Sequence, residues 1–329
     1  MDSRRNFLRN TLTSAGAVGL GQALSGCGGG ISSANAQEAP SLLSTRLKSF
    51  TGGTVWKKVG EIKLNFMAYH PQGMVRIGDS FYLSTVEIIQ KPVKYPQPID
   101  GYDRDTGVGK GHLLKFDASG KLLADLQIGE GSMYHPGGID FDGRYIWATT
   151  AEYRPNSQSL IYKVDPFTMQ ATKLFSYQDH IGGISRNTGT NALHGVSWGS
   201  RRFYRFALND AQTTSLDAAV PPADLRKINH EFYIDYQDNQ YLGNNEMLLT
   251  GLNEYRIRST DPAFALGGLE IVNLETGYAI HQIPIKLWSP VTGRAMTNNP
   301  TWFELTETGV RGYFIPDDDD VSMYVYEAA

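Results

Sequence analysis

Three windows of twenty residues repeat one outline along this chain. Tyr69–Ile88 reads YHPQGMVRIGDSFYLSTVEI, Tyr134–Tyr153 reads YHPGGIDFDGRYIWATTAEY, and Tyr236–Tyr255 reads YQDNQYLGNNEMLLTGLNEY. Each opens with Tyr, turns at a Gly-bearing step near its middle, and carries Glu in its nineteenth place: Glu87, Glu152 and Glu254. Short strand-like runs flank the turn, and Asp142-Gly143 is a strong hairpin signal. A second pair of runs follows each hairpin: HLLKFDASGKLLADLQI, LIYKVDPFTMQATKLF and GGLEIVNLETGYAIHQIPI. The repeating unit is therefore four short antiparallel strands. One such sheet has two faces to bury, and radial packing against its neighbours buries both.

Two weaker copies extend the series. LHGVSWGSRRFYRFALN places Gly195 where the others have Gly73 and Gly138, with Asn209 in place of the Glu. NNPTWFELTETGVRGYFIPDD ends in a run of four Asp. Anchors at Gly73, Gly138, Gly195, Gln240 and Thr301 are spaced by 65, 57, 45 and 61 residues. That spacing suits propeller blades carrying variable loops. The last copy has room for three strands, so VWKKVGEIKL near the other end is expected to pair beside Tyr324–Tyr326 and close the ring. The expected fold is an all-β propeller of five four-stranded blades. Six is the alternative, if residues 177–230 hold another blade that begins at DHIGG, Asp179–Gly183. Only PPADLRKI suggests a turn of helix.

Composition agrees: 35 Gly, 18 Tyr and 14 Phe suit many strands joined by turns. A net charge of -4 without a basic patch argues against a nucleic-acid partner. The single Cys, Cys27, leaves no intrachain disulfide. The opening MDSRRNFLRN resembles a twin-arginine export signal, and the run TLTSAGAVGLGQAL is too short and Gly-rich to span a membrane. Leu24–Cys27, LSGC, resembles a lipoprotein signal-peptidase box, at which Cys27 becomes the lipid-bearing first residue. The competing cleavage follows Ala34-Asn35-Ala36. The expected layout is a leader over 1–27, a flexible tether over 28–53 and one propeller domain over 54–329. The protein is expected in the periplasm or outer envelope, held at the membrane by lipid alone.

In a propeller, the start of each innermost strand and the end of the next strand share one rim. His70 and Glu87 take those places in the first blade, His135 and Glu152 in the second, and Gln237 and Glu254 in the fourth. The long loops 89–111, 177–192 and 255–266 belong to the same rim. The expected catalytic groups are Glu87, Glu152, His70 and His135. Tyr69, Tyr134, His194, Tyr236, Gln237 and Glu254 are the expected ligand contacts, and Glu87, Glu152 and Asp317 the expected metal ligands. The bland alternative stands beside this: a repeated Glu can accept backbone hydrogen bonds, and repeated His-Pro or Tyr can serve packing. His180 and His230 stay open as loop residues. GVGKGH lacks the first Gly and the Ser/Thr of a phosphate loop, and DRDTG lacks the closing Glu of a calcium loop.

At HPQGM, HPGGIDFDGRYIW, LHGVSWGSRRFY, YIDYQDNQYL, GGLEIVNLETG and YFIPDDDDVSMYVYE the chain resembles an exported bacterial β-propeller family described only as a domain of unknown function. In blade texture it resembles, more loosely, calcium-dependent lactonases and strictosidine-synthase-like propellers, whose carboxylates and Asn surround a central metal. That likeness implies a divalent ion, calcium or another, although the His content departs from it. Three functions follow as expectations. The first is a metal-dependent hydrolase of a small polar ester, lactone or sugar derivative. The second is a carbohydrate- or peptide-binding module with Tyr69, Tyr134, Tyr236 and Trp302 as stacking faces. The third is an envelope scaffold.

Overall fold

A computed structural model describes residues 41–209 and 226–329. The leader with Cys27, and the first part of the expected tether, lie outside the described residues. Helix α1 (Leu42–Lys48) and strand β1 (Lys57–Lys63) precede the first blade. That blade is β2 (His70–Ile77), β3 (Ser80–Gln90) and, beyond a small hairpin of β4 (Lys94–Ile99) and β5 (Tyr102–Arg104), β6 (Val108–Asp117) and β7 (Leu122–Ile128). In the second, β8 (His135–Pro136) and β9 (Asp140–Phe141) form a broken inner strand on β10 (Ile146–Ala151), followed by β11 (Ser159–Asp165) and β12 (Gln170–Tyr177). The third comprises β13 (Ile181–Asn187), β14 (Ala192–Ser197), β15 (Arg202–Ala207) and β16 (Arg226–Ile228). The fourth comprises β17 (Asp235–Gly243), β18 (Glu246–Tyr255), β19 (Phe264–Asn273) and β20 (Ala279–Ile285). The fifth has β21 (Thr301–Leu305), β22 (Val310–Phe314) and β23 (Ser322–Ala328), with β1 as its outer strand.

The chain is thus an all-β propeller of five blades, closed by its own N-terminal strand. Lys57 pairs with Glu327 and Lys63 with Ser322, antiparallel, with one irregularity between Lys58 and Gly60. The third blade begins earlier than expected. DHIGG leads into its innermost strand, and LHGVSW is the second strand rather than the first. The five-blade count survives because both segments belong to one blade. Arg226–Ile228, the end of the suggested helical turn, is strand.

Residues 28–53 are not a tether throughout. Ser41 caps α1 by accepting the Ser44 N–H at 3.1 Å. Leu43, Leu47 and Phe50 recur at helical spacing, and Leu47 and Phe50 are buried beside Leu248, Phe303 and Phe314. Glu246, at the β17–β18 turn, accepts Lys48 Nζ at 2.5 Å and the Ser44 hydroxyl. The helix therefore docks on the rim opposite the one where the innermost strands begin.

Five blades make a narrow centre, and the recurrent Gly is its consequence. A Cβ on Gly73 would lie 2.5 Å from Ile139 N and 2.7 Å from Gly138 Cα; one on Gly138 would lie 2.4 Å from Asn239 Oδ1. Side chains bridge the innermost strands across this gap. Asp238 Oδ2 accepts Met74 N–H and Thr301 N–H, both at 3.0 Å. Asp140 Oδ2 accepts Tyr241 N–H at 3.0 Å, and Gln240 Nε2 donates to the Phe303 carbonyl at 2.9 Å. These bonds tie blades one, two, four and five together below the rim that carries His70.

Candidate functional site

The rim where the innermost strands begin carries two adjoining cavities, about 230 Å³ and about 580 Å³, that share His70 and Tyr153. The smaller, inner one sits over the channel and reaches Asp238 and Asn239 at its floor. Three imidazoles from consecutive blades meet there: the His70 and His135 rings are 6.2 Å apart, and His135 and His180 are 6.1 Å apart. His70, His135 and His180 each stand three residues before Gly73, Gly138 and Gly183, so the repeat itself brings them together. Tyr153 stacks on His135 at 4.2 Å, and Trp198 meets His180 edge-on at 4.8 Å.

The three rings differ in partners. His70 Nδ1 lies 2.8 Å from Asp318 Oδ1. His180 Nδ1 donates to the Glu152 carbonyl at 2.7 Å. His135 is 5% exposed, and neither of its ring nitrogens has a hydrogen-bond partner. Burial, then the neighbouring His180 and His70, hold His135 well below the usual imidazole range. Burial also brings His180 down to about 4. Both rings are therefore neutral at pH 7 and present acceptor nitrogens.

Of the expected site residues, His70, His135, Tyr236 and Gln237 line the inner cavity, while Glu87 and Tyr69 line the outer one. Tyr69 stacks on His112 at 5.2 Å. The carboxylates do not converge. Glu87 pairs with Lys110 Nζ at 3.1 Å. Glu152 is buried against Arg154 Nη2 at 2.7 Å and accepts the Ser132 hydroxyl. Glu254 is exposed and outside both cavities, because β18 runs past its inner partner: Asp235 pairs with Leu252, two residues earlier. Asp317 accepts the hydroxyls of Ser289 and Thr292, which tie it into the blade-five loop. His194 lies mid-strand on β14, opposite Ser185 and Arg205, and does not reach the mouth. Tyr134 donates its hydroxyl to Thr106 O, and at 3% exposure offers no open face. Trp302 packs against the cores of the first and second blades. Its expected place as an aromatic wall is taken by Tyr153 and Trp198. His180 and Trp198 are the contributors that the sequence reading missed; aligning DHIGG with YHPGG would have found His180.

This donor set does not fit the calcium centre implied by the lactonase likeness. Calcium takes six to eight oxygens, whereas Glu87 and Glu152 already hold Lys110 and Arg154, and Asp238 and Asp235 already accept backbone N–H and hydroxyl donors. Among the described residues, no group of three or more His, Cys, Asp or Glu side chains is arranged to hold a metal ion.

Solved structures similar to this chain include two enzymes. A luciferin-regenerating enzyme aligns at 11% identity and a TM-score of 0.43, over 84% of this chain and 95% of that one. Hydrazine synthase of Kuenenia stuttgartiensis aligns at 9% identity and a TM-score of 0.38, over 77% of this chain and 57% of that one. At these scores neither likeness bears on what this chain does. The sequence matches no curated protein. Residues 33–329 match the family of unknown function DUF6454, and the chain belongs to that family.

Proposed function

We propose that the protein is an exported propeller that takes a small, uncharged, hydroxyl-bearing molecule into its channel mouth and hydrolyses it, as an ester, lactone or sugar derivative. The observation that carries this reading is His135. Leaving a buried polar group unpaired costs about 1–3 kcal/mol, so a cavity-lining imidazole with two buried, unpaired nitrogens among the described residues calls for a ligand that reaches it. The inner cavity, about 230 Å³, suits a ring with polar substituents, since an engineered cavity of about 150 Å³ holds benzene. Tyr153 and Trp198 supply flat walls for such a ring. No step in this reading runs through a metal. The twin-arginine text and the Leu24–Cys27 box support an extracytoplasmic site; intact-mass measurement finding a mature N-terminus other than a lipidated Cys27 would sink the anchor.

The test is His135→Phe, which keeps the stacked shape against Tyr153 and removes both nitrogens. Turnover of p-nitrophenyl acetate, δ-valerolactone or p-nitrophenyl β-glucoside by the wild type should fall at least tenfold. The variant should melt a few degrees higher, because an unsatisfied group worth about 1–3 kcal/mol is gone. A variant that melts lower and keeps its turnover would make His135 a packing residue. Saturable binding of these compounds without turnover would instead favour a non-catalytic sugar or ester receptor.

A further inference from the structure

His70, which lines both cavities, meets Asp318 of the outer one, and Asp235 lines the inner one. On the first-blade wall, His70 does not stand alone. Its Nδ1 meets Asp318 Oδ1 at 2.8 Å. Asp318 is in turn fixed: Arg294 Nη1 donates to Oδ2 at 2.6 Å, and Asn299 Nδ2 donates to Oδ1 at 3.1 Å. The backbone is shaped around this contact. Asp319 N–H donates to the Tyr69 carbonyl at 2.6 Å, and Ala68 N–H to the Asp319 carbonyl at 2.9 Å. Tyr69 and Asp319 both adopt left-handed φ, 55° and 65°, an unfavourable state for residues with a Cβ. Two strained residues thus clamp the loop that presents Asp318 to the ring. The carboxylate accepts a hydrogen bond from Nδ1–H, which leaves Nε2 as the acceptor of a ring that lines both cavities.

Asp235 stands on the fourth-blade wall, at the start of β17. Blades one and four are not neighbours in a ring of five, so the two walls face each other across the mouth. Ser200 donates its hydroxyl to Asp235 Oδ1 at 2.9 Å and accepts the Tyr236 N–H. Ser200 is also left-handed, with φ 58°.

We infer that His70, oriented by Asp318, is the general base of the site and that Asp235 is its general acid, acting on an ester or lactone whose leaving oxygen is an alkoxide. This rests on the hydrolytic reading above. His70 Nε2 takes a proton from water as the water oxygen bonds to the carbonyl carbon. The carbon–oxygen ester bond breaks, and Asp235 gives its proton to the departing alkoxide. His70 then loses its proton to solvent and Asp235 regains one, so water and ester become acid and alcohol with nothing else consumed. The surroundings favour this division of labour. Enclosure in the mouth pushes the Asp235 carboxyl up although the residue keeps solvent-exposed surface, and Ser200 and Arg201 partly offset that push. Burial pushes Asp318 up as well, but the hydrogen bonds and charges of His70 and Arg294 outweigh it and hold it at about 2. Two carboxyls whose surroundings drive them apart are suited to opposite roles. Besides Asp318 and His135, His70 shares its two cavities with Glu87, Lys91, Arg104 and Asp319 on the outer side and His180, Asp235 and Asp238 on the inner side.

The experiment compares two probes, since p-nitrophenolate leaves without a proton and an alkoxide does not. δ-Valerolactone and p-nitrophenyl acetate are each measured with wild type, Asp235→Asn, Asp235→Glu, His70→Ala and Asp318→Asn, all checked for wild-type melting. General acid or base catalysis is typically worth about 10²–10⁴ in rate. Asp235→Asn should lose about that factor on the lactone and under tenfold on the aryl ester, with Asp235→Glu recovering part of the lactone rate. His70→Ala should lose both activities. Asp318→Asn should lower kcat at least tenfold on both probes with KM within about twofold, because the ring loses the carboxylate that orients it. Equal losses on both probes for Asp235→Asn would overturn the assignment of the acid. An unchanged kcat in Asp318→Asn would overturn the positioning role. A wild type that hydrolyses neither probe would overturn the hydrolytic reading itself, and the pair with it.

Discussion

Asp238→Ala is expected to abolish cooperative folding of the ring. The side chain is 2% exposed and stands where four blades nearly touch. It accepts Met74 N–H from blade one and Thr301 N–H from blade five at 3.0 Å, and its own neighbour Asn239 N–H at 2.9 Å. Alanine leaves three buried donors without a partner, at about 1–3 kcal/mol each. The sum is comparable with the whole stability of an ordinary domain, about 5–15 kcal/mol. Asp238→Asn keeps one oxygen for the Met74 and Thr301 donors and turns an NH₂ toward Asn239 N–H. It should fold with a clearly lower urea midpoint. An Ala variant melting within a few degrees of wild type would show that the bridge is not what holds the blades.

The same buried carboxyls set a pH limb. Burial pushes Asp140 up to about 8, against the pull of the Tyr241 and Phe141 N–H groups, and pushes Asp238 up as well. An acid raised on folding keeps a proton that the unfolded chain has released. Its stability contribution is present below the unfolded value and is lost as pH rises toward about 8. Burial lowers His135, His180 and His194, so those three remove stability as pH falls through the ordinary imidazole range. The urea midpoint should therefore peak between the two limbs. Each fully mismatched proton sets a slope of about 1.4 kcal/mol per pH unit. Asp140→Asn should flatten the alkaline limb and steepen the acid one, because the Asp140 mismatch also runs beneath the imidazole window and opposes it there.

The fold was legible because a propeller states its rule several times over. Each blade needs four alternating strands and a turn, and the last copy's missing strand forced the ring to close on β1. The third blade shows where that legibility ends. DHIGG lacks the Tyr and Pro of its siblings, and LHGVSW offers a better superficial match, so the register slid by a strand. Helix α1 carried its signal in Leu43, Leu47 and Phe50, hidden by the small polar residues around them. At the mouth, strand register predicted which residues reach the rim but not what they meet there. Glu152 is followed two residues later by Arg154, which captures it, and Glu87 faces Lys110 across the β3–β6 pair. Glu254 misses the mouth because β18 overshoots β17, a length no repeat spacing encodes. Asp318 and Asp235 come from a loop and a strand start, and only the folded ring brings one to the outer cavity beside His70 and the other to the inner cavity that His70 also lines.

A chain that begins at Phe66 is expected not to form a stable ring, whereas one that begins at Ser41 should. The segment between them supplies the outer strand of blade five and a set of apolar contacts. Losing β1 strips the partner from β23 along Ser322–Glu327 and leaves a bare sheet edge. Leu47, Phe50 and Leu64 are almost wholly buried. Trp56 packs edge-on against Phe303 and Phe314, at 6.0 and 6.2 Å. Each such side chain is worth about 1.5–3 kcal/mol of transfer free energy, so four together approach the stability of a domain. The loss falls on both sides of blade five: Leu47, Phe50 and Trp56 pack in the core it shares with blade four, and Leu64 in the core it shares with blade one. Removing the segment therefore opens the ring at its seam as well as thinning one sheet. The 66–329 chain should show weak near-ultraviolet circular dichroism and no sharp melt, and should associate through the exposed β23 edge in size-exclusion chromatography. Adding a peptide covering residues 41–65 should restore the melt, since the missing strand pairs through its backbone and needs no covalent link. A 66–329 chain that stays monomeric and melts as sharply as the longer one would show that the other blade interfaces hold the ring without its closing strand.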